Sequence, residues 1–175
     1  MPLEQGRCFE MGTVLLTLEY GKEEAGAIEA LDVLMPHDPC AKAERQPFGG
    51  LVLISTALDQ DAAAEIMAGA PTSFIRSVSP VDTIVPSEMN AIMESVGERL
   101  PHPATGGAAV RCSRRGRSIG SSLEVERAVG GLLRRAGFEI DLASPSIVVR
   151  IDVIGGQTAI SIRPPERFFK KGCQG

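Results

Sequence analysis

Hydrophobic and polar positions alternate along the chain with two periods, which predict strands and helices in turn. Continuous apolar runs such as TVLLTLE and LVLIST predict buried strands, and apolar residues spaced three and four apart predict helices. In residues 22–35, Ile28, Leu31 and Met35 fall on one helical face. The first half therefore predicts strand, helix, strand, strand, helix and strand, at residues 13–19, 22–35, 40–47, 51–56, 59–70 and 74–79.

This order of elements is typical of the split βαβ, or ferredoxin-like, arrangement. Its weakest member is the polar segment 40–47, which we expect to form a short edge strand. Asp59 or Thr56 is expected to cap the second helix, and Pro71 follows its end.

The second half predicts a helix, a strand, a helix and a two-stranded hairpin. Two apolar stripes are expected to face the core, and Gly155-Gly156 is a typical two-residue hairpin turn. Gly137 is expected to end the second helix. The elements span residues 87–100, 108–113, 122–136, 146–154 and 157–162, and the stripes are Met89, Ile92, Met93, Val96 and Leu100, then Val125, Val129, Leu132 and Leu133.

Residues 107–136 contain the most informative pattern. A strand ends in a group of arginines, and a glycine turn then leads to a helix whose Ser121 and Glu124 have capping-box spacing. Free backbone N–H groups at a helix N-terminus attract anions, and arginine pairs well with phosphate. The stretch therefore predicts a surface that binds a polyanion, with RNA as the first hypothesis.

The distribution of charge supports this location. Residues 1–86 hold 5 basic and 13 acidic residues (net −8), and residues 87–175 hold 13 basic and 9 acidic residues (net +4), which together give the net charge of −4. We therefore expect only the second half to meet a polyanion. Aromatic residues make up 4% of the chain, so base stacking is expected to contribute little.

Cysteines and histidines do not form a metal-binding pattern. The four cysteines, at positions 8, 40, 112 and 173, include no CxxC pair, and His37 and Cys40 would supply only half a zinc site. No metal and no cofactor is expected. The polar N-terminus and the lack of a long apolar run predict a soluble, cytoplasmic protein that does not contact membranes and whose thiols are reduced.

Two stretches, AVRCSRRGRSIGSSLEVERAVGGLL and IDLASPSIVVRIDVIGGQTAISI, resemble the THUMP domain, an RNA-binding module of tRNA-modifying proteins. The segments FGGLVLIST and SVSPVDTIVPS are similar to stand-alone THUMP proteins, a group that includes the adaptor for 4-acetylcytidine formation in tRNA. The resemblance implies an α+β protein with a ferredoxin-like N-terminal domain (1–85), a THUMP α/β domain (86–165) and a basic tail (166–175).

The resemblance also implies a function. The chain is expected to be a non-catalytic adaptor that binds tRNA and supports its modification by a separate, acetyltransferase-like enzyme. The expected RNA-binding residues are those of the basic turn and helix, and more loosely those of the tail: Arg111, Arg114, Arg115, Arg117, Arg127, Lys170 and Lys171.

Two other functions remain open from the sequence. Gly116 to Gly120 match the G-x-S-x-G pattern of a hydrolase, with Ser118 as the nucleophile. That fold needs a histidine after the serine, whereas His37 and His102 both precede it, so we expect no enzyme activity. The other function is a ferredoxin-like protein-interaction module whose basic patch pairs with an acidic partner.

Overall fold

A computed structural model describes residues 10–172, which form two compact units. The sequence places the first boundary after residue 85, whereas in the structure residues 81–85 belong to the second unit. Within the described part of the chain, unit 1 comprises residues 10–45, 49–80 and 170–172, and unit 2 comprises residues 46–48 and 81–169.

The described residues form two five-stranded sheets, four α-helices and one short 3-10 helix (Pro165–Arg167). In chain order the strands and α-helices are β1 (Gly12–Leu18), α1 (Glu23–Leu34), β2 (Lys42–Arg45), β3 (Leu51–Thr56), α2 (Gln60–Gly69), β4 (Ile75–Val81), β5 (Thr83–Pro86), α3 (Met89–Arg99), β6 (Gly107–Arg115), α4 (Ser122–Arg135), β7 (Glu139–Ile140), β8 (Ile147–Ile154), β9 (Gln157–Arg163) and β10 (Phe169–Lys170).

The sheet of unit 1 has the strand order β10-β4-β1-β3-β2. Strand β3 pairs antiparallel with both β1 and β2, so that Leu15 lies opposite Leu53. Both side chains are buried, as the continuous apolar runs of these strands predict. The polar segment expected at an edge is β2, which ends the sheet.

Helix α1 packs mainly through small residues, together with Leu34. It buries Gly26, Ala27, Ala30 and Leu34, and a methyl group on Gly26 would collide with the side chain of Leu18. Ile28 and Met35 share a face, as their spacing predicts, but they are 56% and 57% exposed. The close approach of the helix to its neighbours explains why the small residues occupy the inner face.

Asp38 joins the end of α1 to the end of β3. Its carboxylate accepts hydrogen bonds from the Thr56 hydroxyl (2.6 Å), the Ala57 N–H (2.8 Å) and the Cys40 N–H (3.0 Å). The Thr56 hydrogen bond, followed by those from the backbone, lowers the pKa of Asp38 against the opposing effect of burial. The side chain is buried, so it serves the fold and is not available to a ligand.

The sheet of unit 2 has the strand order β5-β9-β8-β6-β7, with β6 and β8 parallel and β8 and β9 antiparallel. The core includes apolar residues from α3, α4 and the sheet. Ile92, Val96, Val125, Val129 and Leu133 are fully buried, which agrees with the predicted stripes of both helices.

Both ends of α4 are capped by the residues that the sequence predicts. The Ser121 hydroxyl accepts a hydrogen bond from the Glu124 N–H (3.1 Å), which is the N-terminal half of a capping box. At the other end Gly137 has φ +97°, its N–H donates to the Arg134 carbonyl, and the Phe138 N–H donates to the Leu133 carbonyl. These bonds form a Schellman motif, which ends the helix.

Strands β5, β7 and β10 have no counterpart in the sequence predictions. The last of them lies in the segment expected to be a basic tail. Each has four or two residues, which is too short for a two-residue period to be recognised.

Cysteine oxidation differs from the expectation. Cys40 is disulfide-bonded and Cys112 is a free thiol, whereas the sequence predicts reduced thiols throughout. Spacing alone does not reveal which cysteines approach one another in the fold. Cys8 and Cys173 lie outside the described residues.

No helix within residues 10–172 is long and apolar enough to cross a membrane.

Candidate nucleic-acid interface

The candidate interface is the turn at residues 116–121, which joins the C-terminal end of β6 to the N-terminal end of α4 (the arginine turn). Gly116 has φ +91°, a conformation that glycine adopts without strain. A side chain there would also be crowded, because its Cβ would lie 3.1 Å from the Cα of Gly155. The Gly155 N–H donates to the Arg115 carbonyl (2.8 Å), which fixes the turn against the β8–β9 hairpin.

The arginines of β6 lie on both faces of the sheet. Val110 belongs to the core beneath the helices, and successive side chains of a strand point to opposite faces. Arg111 and Arg115 therefore lie on the face away from α3 and α4, whereas Arg114 lies on the helix side. The sequence prediction treated these residues as one patch, but their alternation separates them.

Arg114 stabilises the arginine turn itself. Its Nη1 donates to the Gly116 carbonyl (2.7 Å) and to the Ile119 carbonyl (3.3 Å). These bonds close the turn over the buried Ile119 side chain. Arg114 is therefore a positioning residue, although its side chain is exposed enough to add positive charge at the surface.

Arg111 and Arg115 each make one contact on the other face. The Nη2 of Arg111 donates to the Leu142 carbonyl (3.2 Å), and the Nη1 of Arg115 donates to the Ser113 hydroxyl (3.2 Å). A guanidinium has five N–H groups, so both side chains retain donors for an anion.

Arg117 and Arg127 have no hydrogen-bond or ion-pair partner within residues 10–172, and both are exposed. Arg117 lies in the arginine turn, just before the N-terminus of α4. Arg127 lies on α4, two residues after Val125, which faces the core. These two guanidinium groups are the most available of the predicted set.

The two predicted lysines belong to unit 1 and differ in their surroundings. Lys170 is exposed on β10. The Nζ of Lys171 donates to the Met67 and Ala70 carbonyls and to the Thr72 hydroxyl, at 2.9, 2.5 and 2.7 Å. Partial burial lowers the pKa of Lys171, and its contacts satisfy carbonyls at the end of α2.

Two further arginines share a face with Arg111, and the sequence prediction omitted them. The strand pairing places Arg150 directly beside Arg111, and Arg163 beside Val148. Arg150 bonds to Asp152 (2.9 Å) and Arg163 to Asp82 (2.7 Å). The period of two in β8 and β9 would have indicated their common face, but their acidic partners are visible only in the fold.

The cysteine near the turn is a weak nucleophile. Burial, followed by the charges of Glu126 and Asp152, raises the pKa of Cys112 to about 11. Its thiol is therefore protonated at neutral pH and weakly reactive. Ser118 is exposed in the turn, and both histidines precede it in the chain. No group of three or more metal-binding side chains occurs within the described residues.

Comparison with known proteins identifies the second half of the chain. Residues 88–163 match the model of the THUMP domain. The chain is 38% identical over 89 residues to the tRNA (guanine(6)-N2)-methyltransferase of Thermus thermophilus, a match that covers 46% of this chain and 27% of that protein.

Solved structures match both units. TrmN from Thermus thermophilus is 26% identical, with a TM-score of 0.63 over 88% of this chain and 47% of that chain. PH1313 from Pyrococcus horikoshii shares the fold, with 17% identity and a TM-score of 0.65 over 91% of this chain and 55% of that chain. A 4-thiouridine synthetase in complex with RNA and ATP also shares it, with 17% identity and a TM-score of 0.59 over 92% of this chain and 42% of that chain.

The chain thus spans about half of each similar structure, and about a quarter of the methyltransferase. The match to the family model covers the helix α3, the arginine turn and the β8–β9 hairpin, which are the parts that carry the resemblance in the sequence. Residues 88–163 of this chain are therefore a THUMP domain.

Proposed function

We propose that this protein binds RNA, and tRNA in particular, through the arginine turn and the adjoining helix α4. The observation that carries the proposal is the pair of exposed guanidinium groups of Arg117 and Arg127, which have no partner within residues 10–172 and lie in the THUMP domain. Arginine forms bidentate bonds to phosphate, and the N-terminus of α4 adds a partial positive charge.

The residues of the predicted set have different roles in this proposal. Arg117 and Arg127 contact phosphates directly, and Arg111 and Arg115 add contacts from the other face of β6. Arg114 holds the turn in shape. Lys170 remains a predicted contact. We leave Lys171 out of the proposed interface because its ammonium group already bonds to groups of unit 1.

The similar proteins support tRNA as the ligand. One relative is named as a tRNA methyltransferase, and one structure with the same fold is a 4-thiouridine synthetase bound to RNA. Unit 1 has the element order of a ferredoxin-like domain, with its four main strands in the sheet order β4-β1-β3-β2. We infer that unit 1 is such a domain and accompanies the THUMP domain in presenting tRNA.

The finer proposal is that the protein acts as a non-catalytic adaptor in the cytoplasm. It would present tRNA to a separate acetyltransferase-like enzyme that forms 4-acetylcytidine. The segments FGGLVLIST and SVSPVDTIVPS, which are similar to stand-alone THUMP proteins, support this role. A serine-reactive phosphonate should leave Ser118 unlabelled, and stoichiometric labelling would contradict the non-catalytic assignment.

A direct binding measurement tests the proposal. Fluorescence anisotropy with labelled tRNA should give saturable binding to the full chain. The R117A/R127A variant should bind at least tenfold more weakly, because two phosphate contacts are lost. The matched control is R45A, since Arg45 is exposed in unit 1. Equal affinities of R117A/R127A and wild type would refute the assigned surface.

A second candidate function, a protein-interaction module, is favoured by the exposed apolar face of α1. Ile28 and Met35 leave more than half of their surfaces in water on a folded helix. Filter binding of tRNA and of an acidic polypeptide at the same salt concentration separates the two functions. Preference for the polypeptide would favour the interaction module.

A further inference from the structure

An aromatic residue from the first half of the chain lies at the arginine turn. Phe48 is in the short segment 46–48 that belongs to unit 2. A methyl group on Gly116 would lie 3.1 Å from the Cζ of Phe48, and one on Gly155 would lie 3.2 Å from its Cε2. The ring therefore rests against two glycine turns whose lack of side chains makes room for it.

The contacts of this ring differ from those of a core residue. Phe48 is partly exposed, and it is not a member of the hydrophobic cluster formed by the described residues of unit 2. Phe168 and Phe169 lie near Arg150 and Arg167, whereas Phe48 has no cation over its ring within residues 10–172. Part of an aromatic surface thus remains accessible to solvent.

The position of Phe48 brings this surface close to the proposed phosphate ligands. The ring touches Gly116, and Arg117 is the next residue, with consecutive Cα atoms about 3.8 Å apart. A nucleotide carries a planar base beside its phosphate, and unpaired bases stack on aromatic rings. A fully paired duplex keeps its bases stacked on one another and offers no unpaired base to the protein.

We propose that Phe48 is an RNA-binding residue whose ring stacks on an unpaired base while the arginine turn holds the neighbouring phosphate. The ligand is single-stranded RNA, such as the unpaired end or loop of a structured RNA. This inference rests on the proposed RNA-binding function and extends it to the β2–β3 loop, which the charge distribution had excluded.

A tryptophan substitution supplies a specific test, because the chain contains no tryptophan. The F48W protein is titrated with an unstructured RNA about ten nucleotides long, within the range of single-strand sites, and with a blunt duplex of the same length. The single strand should quench the indole fluorescence in proportion to binding, and the duplex should not. Equal quenching by both ligands, or none by the bound single strand, would overturn the inference.

A leucine substitution tests whether the ring only braces the turn. F48L retains apolar volume but has no aromatic face, so its affinity for the single strand should fall by about 5- to 100-fold. F168L serves as the control and should bind like wild type. Unchanged affinity of F48L would show that the ring is only a brace, and if F48L unfolds, the F48W quenching decides.

The same measurements distinguish a failure of the proposed RNA-binding function from a failure of the proposed role of Phe48. Wild-type protein that binds neither RNA probe nor tRNA by anisotropy would refute the proposed function. Wild-type protein that binds RNA while F48L binds equally well would refute only the role of Phe48.

Discussion

Three acidic side chains of unit 1 and two arginines of unit 2 are used in opposite ways. In unit 1, Asp38, Glu23 and Glu29 each accept two backbone N–H bonds, from residues that lie far apart in the chain in several cases. In unit 2, Arg117 and Arg127 have no partner within residues 10–172. Net charge alone therefore does not show which half meets a ligand, since a charge that is bonded within the fold is not free to bind another molecule.

The largest expected effect concerns Asp38. Replacing it in D38N leaves the buried Thr56 hydroxyl and the Ala57 N–H without an anionic acceptor, so the free energy of unfolding should fall by about 2 to 3 kcal/mol. Urea unfolding at pH 7 measures this loss. D32N is the control, because Asp32 lies in helix α1 shortly before Asp38 and is exposed, and it should change stability by less than about 0.5 kcal/mol. Equal effects of D38N and D32N would contradict the structural role of Asp38.

The same carboxylate predicts a dependence on pH. The pKa of Asp38 is lowered in the folded protein, so its contribution is complete above the unfolded value of about 3.9. The contribution is lost as the pH falls through the lower, folded pKa. The difference in unfolding free energy between wild type and D38N should therefore be constant from pH 5 to 7 and shrink below about pH 4. A difference that grows in acid would reverse the assigned sign.

Two glycine substitutions in unit 2 should have opposite signs. G116A places a side chain at φ +91° and 3.1 Å from Gly155, which should destabilise the protein by about 1 to 2 kcal/mol. G130A adds a methyl group to α4 where, apart from the adjoining residues and the nearby backbone of the same helix, no atom lies within 4 Å, so it should stabilise the protein by about 0.5 to 1 kcal/mol. Thermal unfolding measures both, and a stable G116A protein would refute the described geometry of the turn.

Substitutions of Lys170 and Lys171 should have different effects on the stability of the protein and on its affinity for tRNA. K171M removes three hydrogen bonds at the end of α2, so it should lower stability by about 1 kcal/mol and leave tRNA affinity unchanged. K170M should leave stability unchanged, because Lys170 is exposed. Loss of tRNA affinity in a stable K171M protein would restore Lys171 to the interface.

The sequence predicted the parts of the fold that depend on local signals. Ser121 and Gly137 were identified as caps of α4 because a cap is a short-range hydrogen-bond pattern, and the stripe containing Val125 and Val129 faces the core. Helix α1 differs, because its inner face is set by how closely it approaches Leu18. Two of the three residues of its apolar stripe, Ile28 and Met35, are therefore more than half exposed, which periodicity cannot reveal.

The candidate site was predicted as a set of residues but not as an arrangement. The sequence named Arg111, Arg114 and Arg117 together, whereas the alternation of β6 and the carbonyl contacts of Arg114 give them different roles. Phe48 could not be found, because it is 68 positions from Gly116 in the chain and meets it only through the fold. Lys171 was included for its charge, although its bonds lie within unit 1.

The salt dependence of tRNA binding tests the central claim most directly. Log–log plots of affinity against salt concentration should be steep for wild type and for R45A. The slope for R117A/R127A should be shallower by about 1.4 to 1.8, which corresponds to two lost phosphate contacts in single-stranded or duplex RNA. Unfolding stability of this variant should match wild type within about 0.5 kcal/mol, because neither arginine has a partner in the described fold. A slope identical to wild type would contradict the assignment of the arginine turn as the RNA-binding surface.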